Sequence, residues 1–176
     1  MDKPKIIDGL LHAPFFIYVK CRQQLSDKEL LKRLNLSSYK DKYLPGYKKK
    51  RLYITHDKNW SHIADDWCYN LWHSQSIRGS ISELSKEFNV FTCSVGDCDH
   101  SYDFSYYENG EIKRNYVVDH PEINNPKVTI DEGHPLSGEV KAFKKKDEFK
   151  IILTLAKSLG INTDYKRLNI KTYYSK

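Results

Sequence analysis

Cysteine is scarce in this chain: four in 176 residues, Cys21, Cys68, Cys93 and Cys98. They are too few and too scattered to staple a small secreted scaffold, so reduced thiols are expected. Long apolar runs are missing and the mean hydropathy is −0.69, which argues against a membrane span; no membrane partner is expected. Near the N-terminus, Asp8, His12 and Pro14 interrupt any signal-peptide core, so a cytoplasmic protein is expected. Glycine and proline are sparse, at 8 and 6 residues, and neither a repeat nor a low-complexity segment occurs. No glycine-rich loop is present to cradle a phosphate, and no oxyanion loop; no cofactor is expected. Arginine is short where the chain is most basic. Lys40–Arg51, Lys141–Lys150 and the C-terminal tail hold only Arg51 and Arg167. Arginine is the better reader of phosphates and bases, so a lysine-rich solvated surface is favoured over nucleic-acid binding.

What the chain does have is aromatic residues and divided charge. Thirteen tyrosines and three tryptophans are many for this length; such rings fill cores and also anchor interfaces. Between Asn59 and Asp119 ten acids face four bases, a net of −6, which against the chain total of +6 leaves +12 for the remainder. The length suits one domain with a real core.

The stretch from Asn89 to Val118 reads as three consecutive strands. Val90–Val95 is apolar, Tyr102–Tyr107 mixes aromatic and polar residues, and Ile112, Tyr116 and Val118 share one face of the third. Asn109-Gly110 between the last two tolerates the positive φ of a tight hairpin. Upstream, Pro14–Lys20 reads as a strand, and Ser26 with Glu29 forms a capping box for a helix carrying Leu30, Leu31 and Leu34. Ser37–Lys50 reads as a loop, with Tyr39, Tyr43 and Tyr47 among its lysines, and Arg51–Thr55 as a strand. Trp60, Ile63, Ala64, Trp67 and Leu71 fall at helical spacing, which predicts a helix over 60–73; Ser76–Phe88 predicts another. Asp119–Pro126 reads as irregular, Val128–Ile130 as a short extended piece and Gly133–Gly138 as a loop. Asp147 is placed to cap a last helix in which Phe149, Ile152, Leu153, Ala156 and Leu159 face the core, with Gly160 as its stop. Asn169–Tyr174 suits an edge strand. The expected class is α+β, an antiparallel or mixed sheet covered by helices mostly on one face, in a single domain over residues 1–176.

Three constellations carry the ligand types of a catalytic or metal centre. Cys93-x4-Cys98-x-His100 is half of a zinc site, but zinc needs a second pair, which Cys21, Cys68, His56, His62 or His73 would supply only by tertiary accident. Asp97, Asp99 and Asp103, with Asp65 and Asp66, offer carboxylates to a hard cation, although Gly-Asp-x-Asp is also ordinary turn chemistry. Cys98 beside His100 has the types of a thiolate–base pair, yet residues two apart in a strand lie about 6–7 Å apart. No stoichiometric metal is expected. The preferred reading is non-catalytic. Asp97, Asp99, His100 and Asp103, with Asp65, Asp66, Trp72, Tyr106 and Tyr107, form a candidate partner-binding surface in which carboxylates steer and rings anchor. The alternatives are a metal-dependent hydrolase or nuclease using Asp97, Asp99 and His100, and a nucleic-acid-binding accessory protein using the lysine-rich segments.

From Tyr102 to about Ile161 the chain runs YYENGEIKRNYVVD, then VTIDEGHPLSGE, then a helix ending LAKSLGI. This succession resembles small cytoplasmic immunity proteins of bacterial toxin–immunity pairs, including those of the yeast cell-wall-regulator superfamily. The resemblance implies an α+β domain that blocks a cognate toxin by direct contact and has no catalysis of its own; it transfers no binding residue. Many immunity proteins against basic nucleases are acidic, whereas here only the central segment is.

Overall fold

The computed structural model describes residues 4–21, 25–42, 50–66, 71, 74–96, 99–122 and 125–175. Two short strands, β1 (Ile6–Ile7) and β2 (Leu10–Leu11), form a hairpin whose turn places Asp8 and Gly9 at φ 51° and 88°. The sequence pattern had announced no strands here. Next come β3 (Phe15–Lys20) and helix α1 (Asp27–Arg33), where Ser26 Oγ accepts the Glu29 N–H at 3.2 Å. Strands β4 (Arg51–His56) and β5 (Trp60–Asp65) and helix α2 (Gln75–Leu84) follow. A meander of β6 (Asn89–Val95), β7 (Tyr102–Glu108), β8 (Glu111–Glu122) and β9 (Asn125–Gly133) leads to α3 (Glu139–Ala142) and α4 (Glu148–Ser158). A 3-10 turn (Tyr165–Arg167) and β10 (Lys171–Tyr174) close the chain.

Eight strands make one antiparallel sheet in the order β10-β4-β5-β3-β6-β7-β8-β9. The sheet has helices on both faces, not mostly on one as expected. Alternation along β3 shows why: Phe15, Ile17 and Val19 face the leucines and isoleucines of α1 and α2, while Phe16 and Tyr18 face α4 and the 3-10 turn. A central strand buried on both faces loses the polar half of its alternation.

That loss explains the largest departure from the sequence-based expectation. The segment predicted as a helix over 60–73 begins as strand β5, all six residues of which are buried. Its apolar residues fit helical spacing and a two-sided strand equally well. The deciding signal is the turn before it. Asp57 Oδ1 accepts the N–H groups of Asn59 (2.9 Å) and Trp60 (2.8 Å), and Asp57 N–H donates to the Trp60 carbonyl, closing a β4–β5 hairpin. Trp67, Cys68, Tyr69, Trp72 and His73 lie outside the described residues.

A bulge corrects the third strand. Tyr106 pairs with Arg114 but Tyr107 pairs with Ile112, so Lys113 is the extra residue. Tyr116 and Val118 stay in the core, while Ile112 moves to the other face at 53% exposure. Of the irregular stretch predicted over Asp119–Pro126, residues 119–122 belong instead to β8 and 125–126 to β9, at the sheet edge where proline is tolerated, and residues 123–124 lie outside the described residues. In α4 the buried residues are Ile151, Ile152, Leu155 and Ala156, with Phe149, Leu153 and Leu159 only half-buried.

Candidate functional site

Two hydrogen-bonded chains inside the fold have the composition of catalytic relays. In the first, His56 Nε2 meets Asp27 Oδ1 at 2.5 Å and His56 Nδ1 meets Ser61 Oγ at 2.8 Å. A carboxylate only accepts, so Nε2 carries the proton, and in the neutral ring the Ser61 hydroxyl donates to Nδ1. Asp27 also accepts from Lys171 Nζ (2.7 Å) and Tyr173 OH (2.6 Å). Burial pushes the Asp27 carboxyl up, but these partners outweigh it and hold it at about 2. In the second chain, His62 Nε2 donates to Asp57 Oδ2 at 3.1 Å and its Nδ1 faces Tyr165 OH at 3.2 Å; Tyr165 OH in turn meets Tyr18 OH at 3.3 Å. The same accounting makes Tyr18 donate to Tyr165 and Tyr165 to His62. Burial pushes the Asp57 carboxyl up, yet the bonds from His62 and from the Asn162, Asn59 and Trp60 N–H groups hold it at about 2. Burial lowers the His62 imidazole and raises both tyrosines.

Order within these chains is good; access to their hydroxyls is not. Ser61 is fully buried in β5 between β4 and β3, and Tyr18, His62 and Tyr165 are about as deeply enclosed. A nucleophile needs a reacting carbon about 3 Å away beside donors for the developing oxyanion. Around Ser61 that space is filled by the sheet. Both chains therefore tie layers together: α1 to β4, β5 and β10 in the first, β5 to β3 and the 3-10 turn in the second.

Four ionisable groups gather at one end of the sheet, His100 and Asp147 exposed and His12 and Glu148 half-buried. His12, Val95, Gly96, His100, Asp147, Glu148 and Phe149 line an open cleft of about 450 Å³. The His12 ring stacks on Phe149 at 6.5 Å and 15°. His100 Nδ1 is hydrogen-bonded to Glu148 Oε1, and its ring lies 6.3 Å from that of His120, whose Nδ1 is buried without a hydrogen-bond partner. Asp147 Oδ1 caps α4 through the Lys150 N–H at 2.8 Å. Burial lowers the His12 imidazole, helped by Lys5. A Cβ at Gly96, beside the cleft, would meet Asp99 Oδ1 at 2.1 Å and Ser101 Oγ at 2.6 Å, so those two side chains would have to shift. Asp99 Oδ1 accepts the Ser101 hydroxyl (2.7 Å) and N–H (3.0 Å). Slight burial raises its carboxyl, and those bonds more than reverse the effect.

The candidate partner-binding residues are dispersed by the fold. Asp99 and His100 are exposed at the β6–β7 turn. Asp103 is half-buried on β7 and accepts from Ser94 Oγ. Tyr106 is half-buried and accepts from Asn89 Nδ2 at 2.7 Å, whereas Tyr107, one residue on, faces the opposite layer and is 8% exposed. Asp65 and Asp66 stand at the end of β5, not on a helix surface, and both are interior. Asp65 Oδ2 accepts the Leu71 N–H at 2.7 Å, and Asp66 Oδ2 accepts the Arg51 N–H at 3.2 Å. Asp97 and Trp72 lie outside the described residues. So does Cys98, while Cys93 is wholly buried on β6, away from His100, with its thiol pushed well up by burial. Among the described residues, no three His, Cys, Asp or Glu side chains are arranged to hold a metal ion. Sequence reasoning missed His12, His120 and Glu148. Asp99, His100 and the predicted Asp147 cap were the sequence signals that pointed to this end of the sheet.

Comparison with family models, with curated proteins and with solved structures gave no match to this chain.

Proposed function

We propose that the chain is a single cytoplasmic α+β domain that works as a non-enzymatic binding protein of the immunity type, neutralising a cognate toxin by direct protein–protein contact. One observation carries the reading. The hydroxyls of both Asp–His–hydroxyl chains are buried, with Asp27, His56 and Asp57 half-buried around them, and serve packing, whereas His12, His100, Asp147 and Glu148 gather around an open cleft with no nucleophile among its described residues. Of the residues singled out in the sequence, His100 lines that cleft, joined there by Glu148, and Asp99 lies beside it against Gly96. The hydrolase alternative fits less well, since Asp99 is engaged by Ser101 and His100 by Glu148.

The test is protection from any toxic product of the open reading frames flanking this gene. A triple variant D99N/H100Q/E148Q roughly keeps side-chain size and removes the ionisable groups. It is expected to fold normally by circular dichroism and to weaken toxin binding by at least about tenfold, the loss typical when a well-placed interface contact is removed. A folded triple variant that protects like the wild type contradicts the cleft assignment.

A further inference from the structure

The α3–α4 segment carries a local excess of positive charge. Helices α3 and α4 pack on the same face of the sheet, and the segment from Glu139 to Ser158 carries six lysines against three acids. Glu139 adds nothing to the surface potential, because its carboxylate is buried against Arg114. The lysines Lys141, Lys144, Lys145, Lys146, Lys150 and Lys157 are all exposed. On α4, Lys150 and Lys157 lie opposite the buried stripe of Ile151, Ile152, Leu155 and Ala156, so they point away from the sheet. On α3, Glu139 and Ala142 face inward, which leaves Val140 and Lys141 outside.

The centre of this basic face is apolar. Val140 is 75% exposed, the most exposed of the large hydrophobic residues described, and Phe143 is 38% exposed with one ring face held on Tyr116 at 5.0 Å. Four lysines lie in the same seven residues, from Val140 to Lys146. Asp147 and Glu148 follow, but Asp147 caps α4 and Glu148 is hydrogen-bonded to His100.

We infer that the α3–α4 face docks peripherally on an anionic lipid bilayer. Lysines supply long-range attraction to acidic headgroups. Val140 and the free edge of Phe143 reach the headgroup–acyl boundary, where exposed apolar side chains gain by leaving water. The apolar pair decides between two anionic surfaces, since the phosphate backbone of a duplex gives an aliphatic side chain no partner. The near absence of arginine from this face agrees, because a point charge suits a fluid headgroup layer and a bidentate fork suits a fixed phosphate. No span is needed for such contact, so the hydropathy of the chain is no obstacle to it.

The test is co-sedimentation of the full chain with vesicles of neutral phosphatidylcholine, and with vesicles containing about 30 mol% phosphatidylserine in about 0.1 M salt. The protein is expected to sediment with the acidic vesicles only, and to be released as salt rises. The variant K141Q/K144Q/K145Q/K146Q is expected to bind about a hundredfold or more weakly, each lysine contributing several-fold. V140S is expected to weaken binding without changing its salt dependence. All five positions are exposed, so the thermal melts of the variants are expected to overlay the wild type. No sedimentation with acidic vesicles overturns the proposal, as does unchanged binding by the lysine variant. Retention on a duplex oligonucleotide without vesicle binding overturns it in favour of nucleic acid. None of these outcomes depends on toxin binding, so this proposal and the immunity reading fail separately.

Discussion

Arg114 and Glu139 form a doubly hydrogen-bonded ion pair inside the protein. Arg114 Nε and Nη2 donate to the two carboxylate oxygens of Glu139, each at 2.9 Å, and both side chains are 3% exposed. The guanidinium also lies 5.1 Å from the Tyr116 ring centroid and donates to the Glu132 carbonyl at 3.0 Å, while Glu139 Oε1 accepts the Leu136 N–H at 2.6 Å. One pair thereby fastens the loop over 133–138 and the start of α3 to strand β8.

Removing one partner of such a pair leaves the other buried and uncompensated. Glu139→Ala is expected to cost about 3–5 kcal/mol in urea unfolding. Asp131→Asn removes the third ligand of the same arginine, but that carboxylate is 60% exposed, and a loss below about 1 kcal/mol is expected. Equal losses for the two variants contradict the assignment of Glu139 as the main partner.

The acid limb of the stability curve tests Asp27. Its folded carboxyl is held at about 2, below the usual unfolded value of about 3.9. A depressed carboxylate contributes stability that is present above the unfolded value and lost as pH falls through the folded one. Stability from this group is therefore lost between about pH 4 and about pH 2. Asp27→Asn is expected to lower stability at pH 7 and to flatten that part of the curve. A parallel downward shift, with the acid slope intact, rules out the ionised carboxylate as the source.

His62 gives a second limb of known sign. Burial lowers its folded pKa, so the unfolded chain takes up a proton near about pH 6.5 that the folded protein resists. Its contribution is full above that value and declines as pH falls below it. His62→Gln is expected to reduce the change in unfolding midpoint between pH 7 and pH 5. An unchanged slope places the pH dependence elsewhere.

Two glycines at positive φ separate backbone strain from steric clash. Gly160 has φ +84° with open space where a Cβ would stand, so Gly160→Ala is expected to cost about 1 kcal/mol, the left-handed penalty alone. Gly133 has the same φ, but a Cβ there would sit 2.0 Å from the Lys113 carbonyl oxygen, a backbone atom of the neighbouring strand. Gly133→Ala is expected to cost clearly more. Equal melting-temperature shifts contradict the close packing of β9 on β8.

The sequence made the local geometry legible wherever one residue type does one job. Ser26 and Asp147 cap α1 and α4, Asn109-Gly110 turns the β7–β8 hairpin, Gly160 ends α4, and Lys171–Tyr174 is the edge strand. Two-sided burial hid β5, because its residues satisfy both periodicities, and one inserted residue, Lys113, hid the fate of Ile112. The candidate site was harder to see for the same reason that sites generally are. His12, His100, His120 and Glu148 are far apart in the chain and meet only after the sheet is assembled, so no spacing announces them. Asp65 and Asp66 look like surface acids by composition alone, yet their hydrogen bonds draw them inside.

The most direct test of the binding reading is isothermal titration calorimetry of the purified protein against each purified domain encoded by the open reading frames flanking its gene. The account predicts a saturable complex of defined stoichiometry, weakened by salt and by D99N/H100Q/E148Q, with no turnover of nucleic acid or phosphoester by the protein alone. Absence of any complex, together with magnesium-dependent hydrolysis that the same variant abolishes, contradicts it.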